Sequence, residues 1–208
     1  LSGVTASGVG TTAITALQST PGALLNNITT TTVTAAATLA DATTVSFTGN
    51  LGKAAVALTG TDGTDDIFNV DGATMGTATF TVDANAILQG TAAKLSGVTA
   101  SGVGTTAITA LHATPGANLA NIDTTTTTAA FDGNVTFTGT LDGAVVTVGD
   151  GFTMTAVANK VENETVNKAS NGKLAVTVGA ADAAVNLTLV NGTALDSITV
   201  TQNVTFAG

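Results

Sequence analysis

Short runs of β-branched and aliphatic residues alternate with polar ones along this chain, and Gly, Asn or Asp interrupts nearly every pair of runs. A period of two puts every second side chain on one face, so these runs predict half-buried β-strands. The first series covers residues 45–48, 55–59, 67–70, 77–82, 87–89 and 98–100; the second covers 135–138, 145–148, 153–157, 174–178, 185–189, 198–200 and 204–206. Strand starts recur about every ten residues, the rhythm of short strands joined by tight turns. One stretch of each series reads differently. Ile14, Leu17, Leu24 and Ile28 fall near helical spacing, as do Ile108, Leu111, Leu119 and Ile122, with Pro21 and Pro115 interrupting. Because Pro fits the first position of a helix, a short helical turn is expected there, with Thr20 or Thr114 as N-cap.

Two architectures share this rhythm: a parallel β-solenoid with a strand on each side of every coil, and an antiparallel β-sandwich of hairpins. Composition separates them. Hydrophobic residues make up 44% of the chain but aromatics only 3%, with seven Phe and no Trp or Tyr, so Ala, Val, Leu and Thr must fill the interior. Burial stabilises by about 25 cal/mol per Å² of apolar area, so small side chains do best where a regular backbone stacks them in register. The expected fold is therefore all-β, a parallel β-solenoid of repeated modules with short helical turns. Antiparallel β-sandwich modules are the alternative.

The modules are visible as a duplication. LSGVTASGVGTTAITAL, Leu1 to Leu17, recurs unchanged from Leu95 to Leu111, and the match continues through QSTPGALLNNI and HATPGANLANI into a Thr run. It resumes as VSFTGNLGKAAVAL against VTFTGTLDGAVVTV before the copies diverge. Residues 1–94 and 95–208 are thus read as two modules, the second with a diverged C-terminal half. Repeats of this kind bury their faces against their neighbours.

Charge narrows the partners. The net charge is −9, there is no Arg, and Lys53, Lys94, Lys160, Lys168 and Lys173 are isolated, so the clustered cations needed to neutralise nucleic-acid phosphates are missing. Cations and cationic surfaces suit the chain better. No run approaches 18 apolar residues, so no membrane-spanning helix is expected. Cys is absent, and Leu1 opens without Met or a basic-then-apolar leader, which leads us to expect a piece of a longer exported protein.

Catalytic constellations are sparse. His112 is the sole histidine and its counterpart is Gln18; no Ser lies in a nucleophile elbow. Asp132, Asp142, Asp150 and Asp182 read as turn residues. The chain is not expected to be an enzyme. The most specific local motif is Gly60-Thr61-Asp62-Gly63-Thr64-Asp65-Asp66-Ile67-Phe68, which is either a polar turn between strands or a cation site.

That nonapeptide resembles the G-G-x-G-x-D-x-U-x repeat of bacterial RTX proteins, with Thr61 where the family has Gly and a single copy where the family has tandem ones. The resemblance implies Ca²⁺ held by turn carbonyls and carboxylates, with Asp65 as ligand, Gly60 and Gly63 shaping the turn, and Asp62, Asp66 and Asp71 as further oxygen donors. With the long repeat and the Thr/Ala/Gly/Val alphabet, the chain is similar to RTX-type surface-layer and giant repeat adhesin proteins. This implies type I secretion and a cell-surface location. The expected role is a self-assembling component of a surface layer or filament, its partner being itself. The alternative is an adhesin or spacer module contacting cell-surface polysaccharide.

Overall fold

The computed structural model describes residues 4–61, 66–179, 185–190 and 192–201. The paired strands are joined in parallel throughout, which makes the fold a parallel β-solenoid. Two compact units divide the chain: Leu1–Ala107 with Asn121–Thr126, and Ile108–Ala120 with Thr127–Gly208. No helix among the described residues is long and apolar enough to cross a membrane.

The first unit holds β1 (Thr11–Ile14), β2 (Thr32–Thr38), β3 (Thr44–Ser46), β4 (Ala55–Thr59), β5 (Asp66–Asn69), β6 (Thr79–Val82), β7 (Ala86–Thr91), a single helical turn α1 (Ala92–Leu95), and β8 from Thr99. One side of the coils stacks in the order β1-β2-β4-β6-β8, another in the order β7-β5-β3. A third corner is marked by the isolated parallel bridges Leu24 to Asn50 and Asn50 to Thr74. Successive coils are offset in register by 20 residues at Asn69 to Gln89, by 21 at Ala35 to Val56 and by 24 at Val56 to Phe80.

Register explains the alphabet. Ile14, Ala35, Val56, Phe80 and Ala100 form an inward column in which the one large ring lies between Val56 and Ala100. The next inward column is Ala37–Leu58–Val82, and all of these residues are buried. Outward columns such as Thr34–Ala55–Thr79–Thr99 carry the Thr and Ala that the composition supplies in excess. On the other side Val45–Phe68–Leu88 points inward while Asn69 and Gln89 pair outside, the Asn69 amide donating to Gln89 Oε1 at 2.8 Å. β-Branched and small side chains suit this surface because each column meets like neighbours about 4.8 Å apart.

The second unit repeats the scheme. Its strands are β9 (Ile122–Phe131, from Thr127 onward), β10 (Val135–Phe137), β11 (Val145–Val148), β12 (Thr153–Val157), β13 (Val166–Lys168), β14 (Lys173–Val178) and β15 (Leu195–Val200). β9, β11 and β13 stack on one side; β10, β12, β14 and β15 stack on another. The inward columns are Ala129–Val146–Val166, Val135–Met154–Leu174 and Phe137–Ala156–Val176.

Several details depart from the sequence reading. Pro21 and Pro115 start no helix: Ala23 N–H donates to Thr20 O and Ala117 N–H to Thr114 O, each at 3.0 Å, so Thr-Pro-Gly-Ala is a β-turn. Thr20 and Thr114 close the 3₁₀ turns Leu17–Ser19 and Leu111–Ala113 instead of capping a helix that follows. The buried leucine of the first copy is Leu25, matching Leu119, while Leu24 is exposed. Residues 185–189 form no strand, and 204–206 lie outside the described residues.

Candidate functional site

The acidic turn sits where β4 leaves one side of a coil and β5 begins the next. Of its candidate ligands, Asp62, Gly63 and Asp65 lie outside the described residues. Gly60 and Asp66 are described, and the structure brings them together. A Cβ on Gly60 would lie 2.1 Å from the Asn85 carbonyl oxygen and 2.8 Å from Asp66 Oδ2. Gly60 is therefore required by the close approach of the next coil.

Asp66 heads β5 on the inward face, paired in register with Ala86, and is completely buried. Its Oδ2 accepts the Thr61 backbone N–H at 2.8 Å, while Oδ1 is buried with no hydrogen-bond partner. Buried carboxylate oxygens are costly unless a donor or a cation satisfies them, so Asp66 is the most demanding polar group in the core. Asp66 Oδ2 and the Asn85 carbonyl oxygen both lie against Gly60.

Asp71 does not join them. It lies in the turn that follows the far end of β5, whose first residue is Asp66. Its Oδ1 accepts the Thr91 N–H at 2.6 Å and its Oδ2 the Asn69 amide at 3.2 Å, so it ties two coils together in an outward polar ladder. Asp71 therefore serves as a link between coils beyond the C-terminal end of β5. Among the described residues, no group of three or more His, Cys, Asp or Glu could hold a metal ion.

His112 is also a strut between coils. Its Nδ1 lies 2.5 Å from Asp132 Oδ1, and its ring packs over Gly133, where a Cβ would fall 2.5 Å from Cδ2. In the first copy Gln18 does the same work, its Oε1 accepting the Thr38 N–H at 3.2 Å. Thr38 and Asp132 are equivalent positions 94 residues apart. A neutral amide fills the place of the imidazole, so this position needs a polar link to the next coil. The sequence reading placed no role there, and the signal that would have found it is the Gln18/His112 exchange itself.

Glu164 has its carboxyl pushed above the ordinary 4.5, chiefly by burial and further by the charge of Asp142, against the lowering effect of the Gly143 N–H it accepts at 3.0 Å. A raised folded-state value favours the folded chain while the group is protonated. That contribution is complete below the unfolded value and is lost as pH rises through the folded one. Urea midpoints of the wild type should therefore fall, relative to Glu164→Gln, as pH is raised from below 4.5 toward neutrality. Parallel pH profiles for the two proteins would contradict this.

The aromatics form no surface cluster among the described residues. Phe47 and Phe68 stack at 5.7 Å, and Phe131 meets Phe137 edge-on at 5.6 Å, all four buried. Phe80 and Met154 are buried too, leaving Phe152 half-buried. The chain matches no protein-family model, no curated protein and no solved structure.

Proposed function

We propose that this chain is a structural component of an extracellular bacterial surface assembly of the RTX type, a surface layer or filament, held together by stacking the β15 coil on further copies. The observation that carries the reading is the state of β15. Ile198 and Val200 continue the inward columns through Val176 and Val178, yet each is 49% exposed. Beyond them the sheet has no further strand among the described residues. Exposed aliphatic side chains in register with buried columns are the kind of surface that assemblies cover with a further strand.

Charging that edge tests the reading. Ile198→Lys with Val200→Lys places two ammonium groups where the next coil would bury aliphatics. Sedimentation velocity should show wild-type oligomers that grow with concentration and a variant that stays monomeric. A wild type that is monomeric at every concentration removes the proposal. The adhesin reading is the weaker one, because burial of the aromatics leaves little ring surface to stack on sugars.

Calcium belongs to the same proposal. The buried Asp66 carboxylate, whose Oδ1 has no hydrogen-bond partner, supplies an oxygen donor of the hard kind Ca²⁺ takes, and a bound cation would relieve it. Calorimetric titration should show binding by the wild type and none by Asp66→Asn. At a hundredfold excess over the dissociation constant, Ca²⁺ should stabilise the wild type by about 2.7 kcal/mol. Equal unfolding curves with Ca²⁺ and with chelator would remove the cation from the account.

A further inference from the structure

The two copies of the 17-residue repeat share one sequence but not one environment. Their lower faces agree. Thr12 Oγ1 meets Thr30 Oγ1 at 2.9 Å, and the equivalent Thr124 and Thr106 hydroxyls meet at 3.0 Å; Thr30 and Thr124 each donate onward to the carbonyl two residues ahead. Their upper faces differ. In the second copy β8 is laid on the preceding coil, with Thr99, Ala100 and Ser101 paired to Thr79, Phe80 and Thr81.

The glycines register this difference. A Cβ on Gly102 would fall 2.3 Å from the Val82 carbonyl oxygen, and one on Gly104 would fall 2.1 Å from that of Asp83. Their counterparts Gly8 and Gly10 have nothing within 4 Å, although Gly8 has almost the same φ as Gly102, +116° against +119°. Val4 is 43% exposed where its equivalent Val98 is 9% exposed. Val4, Ile14 and Ile28 line an open apolar hollow at this end. The first copy thus carries, in the same order, the residues that the second copy fits against a coil.

We propose that residues 4–14 form a docking surface for one more coil with the sequence of residues 66–94, running into Leu1 as Lys94 runs into Leu95. Such a coil brings the equivalents of Val82 O and Asp83 O onto Gly8 and Gly10, and the equivalent of Phe80 onto Ala6. The inference stands apart from the proposed self-assembly, location and cation. It concerns a covalent neighbour at the N-terminal face and is read on the single chain.

The test is the full chain extended by a second copy of residues 66–94 ahead of Leu1, beside a control extended by the same residues in shuffled order. Amide exchange at residues 8–14 should slow about tenfold or more with the true coil and stay unchanged with the shuffled one. Gly8→Ala gives an independent reading. In the unextended chain it meets only backbone strain. In the extended chain it also meets a carbonyl, and its loss in Tm should grow to match that of Gly102→Ala. Unchanged exchange in the extended chain, or a Gly8→Ala loss that is the same with and without the extra coil, overturns the proposal. Absence of self-assembly in the sedimentation experiment leaves it untouched, so the two failures are distinguishable.

Discussion

Phe68→Ala is expected to lower the unfolding free energy by about 3–5 kcal/mol, read from urea midpoints. Phe68 is fully buried in the column Val45–Phe68–Leu88 and stacks on Phe47 at 5.7 Å. Its register neighbours Val45 and Leu88 are aliphatic and the stacked Phe47 ring loses its partner, so the space that the ring leaves is filled only in part. Half-buried Phe152 provides the contrast. Phe152→Ala should cost about 1 kcal/mol, in the range of a partly exposed position. Similar losses at the two sites would mean that coil interiors are not packed as described.

Gly49→Ala and Gly139→Ala should each cost about 3 kcal/mol, at the upper end of overpacking effects. Neither residue needs a left-handed backbone; what each needs is room. A Cβ on Gly49 would lie 2.0 Å from Ala23 O, and one on Gly139 the same distance from Ala117 O. Both glycines also donate their N–H across the coils, to Pro21 O and Pro115 O, each at 3.0 Å. Backbone meets backbone here, so no side chain can swing aside. Gly22→Ala is the control, with nothing within 4 Å of the added methyl, and it should stay within about 1 kcal/mol of wild type. A uniform response to all three substitutions would show that close coil approach is not what selects these glycines.

The glycines also show what could be read from sequence and what could not. Their abundance pointed to turns, yet Gly49, Gly60 and Gly139 are fixed by the next coil, a contact between residues far apart in the chain. Strands with strict alternation, such as Ala55–Thr59 and Val145–Val148, were legible because one face is buried and one is not. β2 was missed because TVTAAAT offers Ala at the inward positions, which carries little hydrophobic contrast. Most of β9 was missed for a similar reason, since its Thr run serves as buried and exposed residue in turn. Thr-Pro-Gly-Ala fits both the first turn of a helix and a β-turn, because Pro fixes the same φ for each; the following Gly was the better guide. The acidic motif pointed to Asp66, which the structure places as an inward, fully buried carboxylate, a position that the motif alone does not give.

The central proposal is that the exposed aliphatic side chains of β15 take part in self-assembly. Negative-stain electron microscopy of the purified protein, with millimolar Ca²⁺ and again with excess chelator, tests it most directly. Ordered sheets or filaments formed with Ca²⁺, and absent from the Ile198→Lys/Val200→Lys protein, are the predicted result. Monodisperse wild-type particles under both conditions would contradict it.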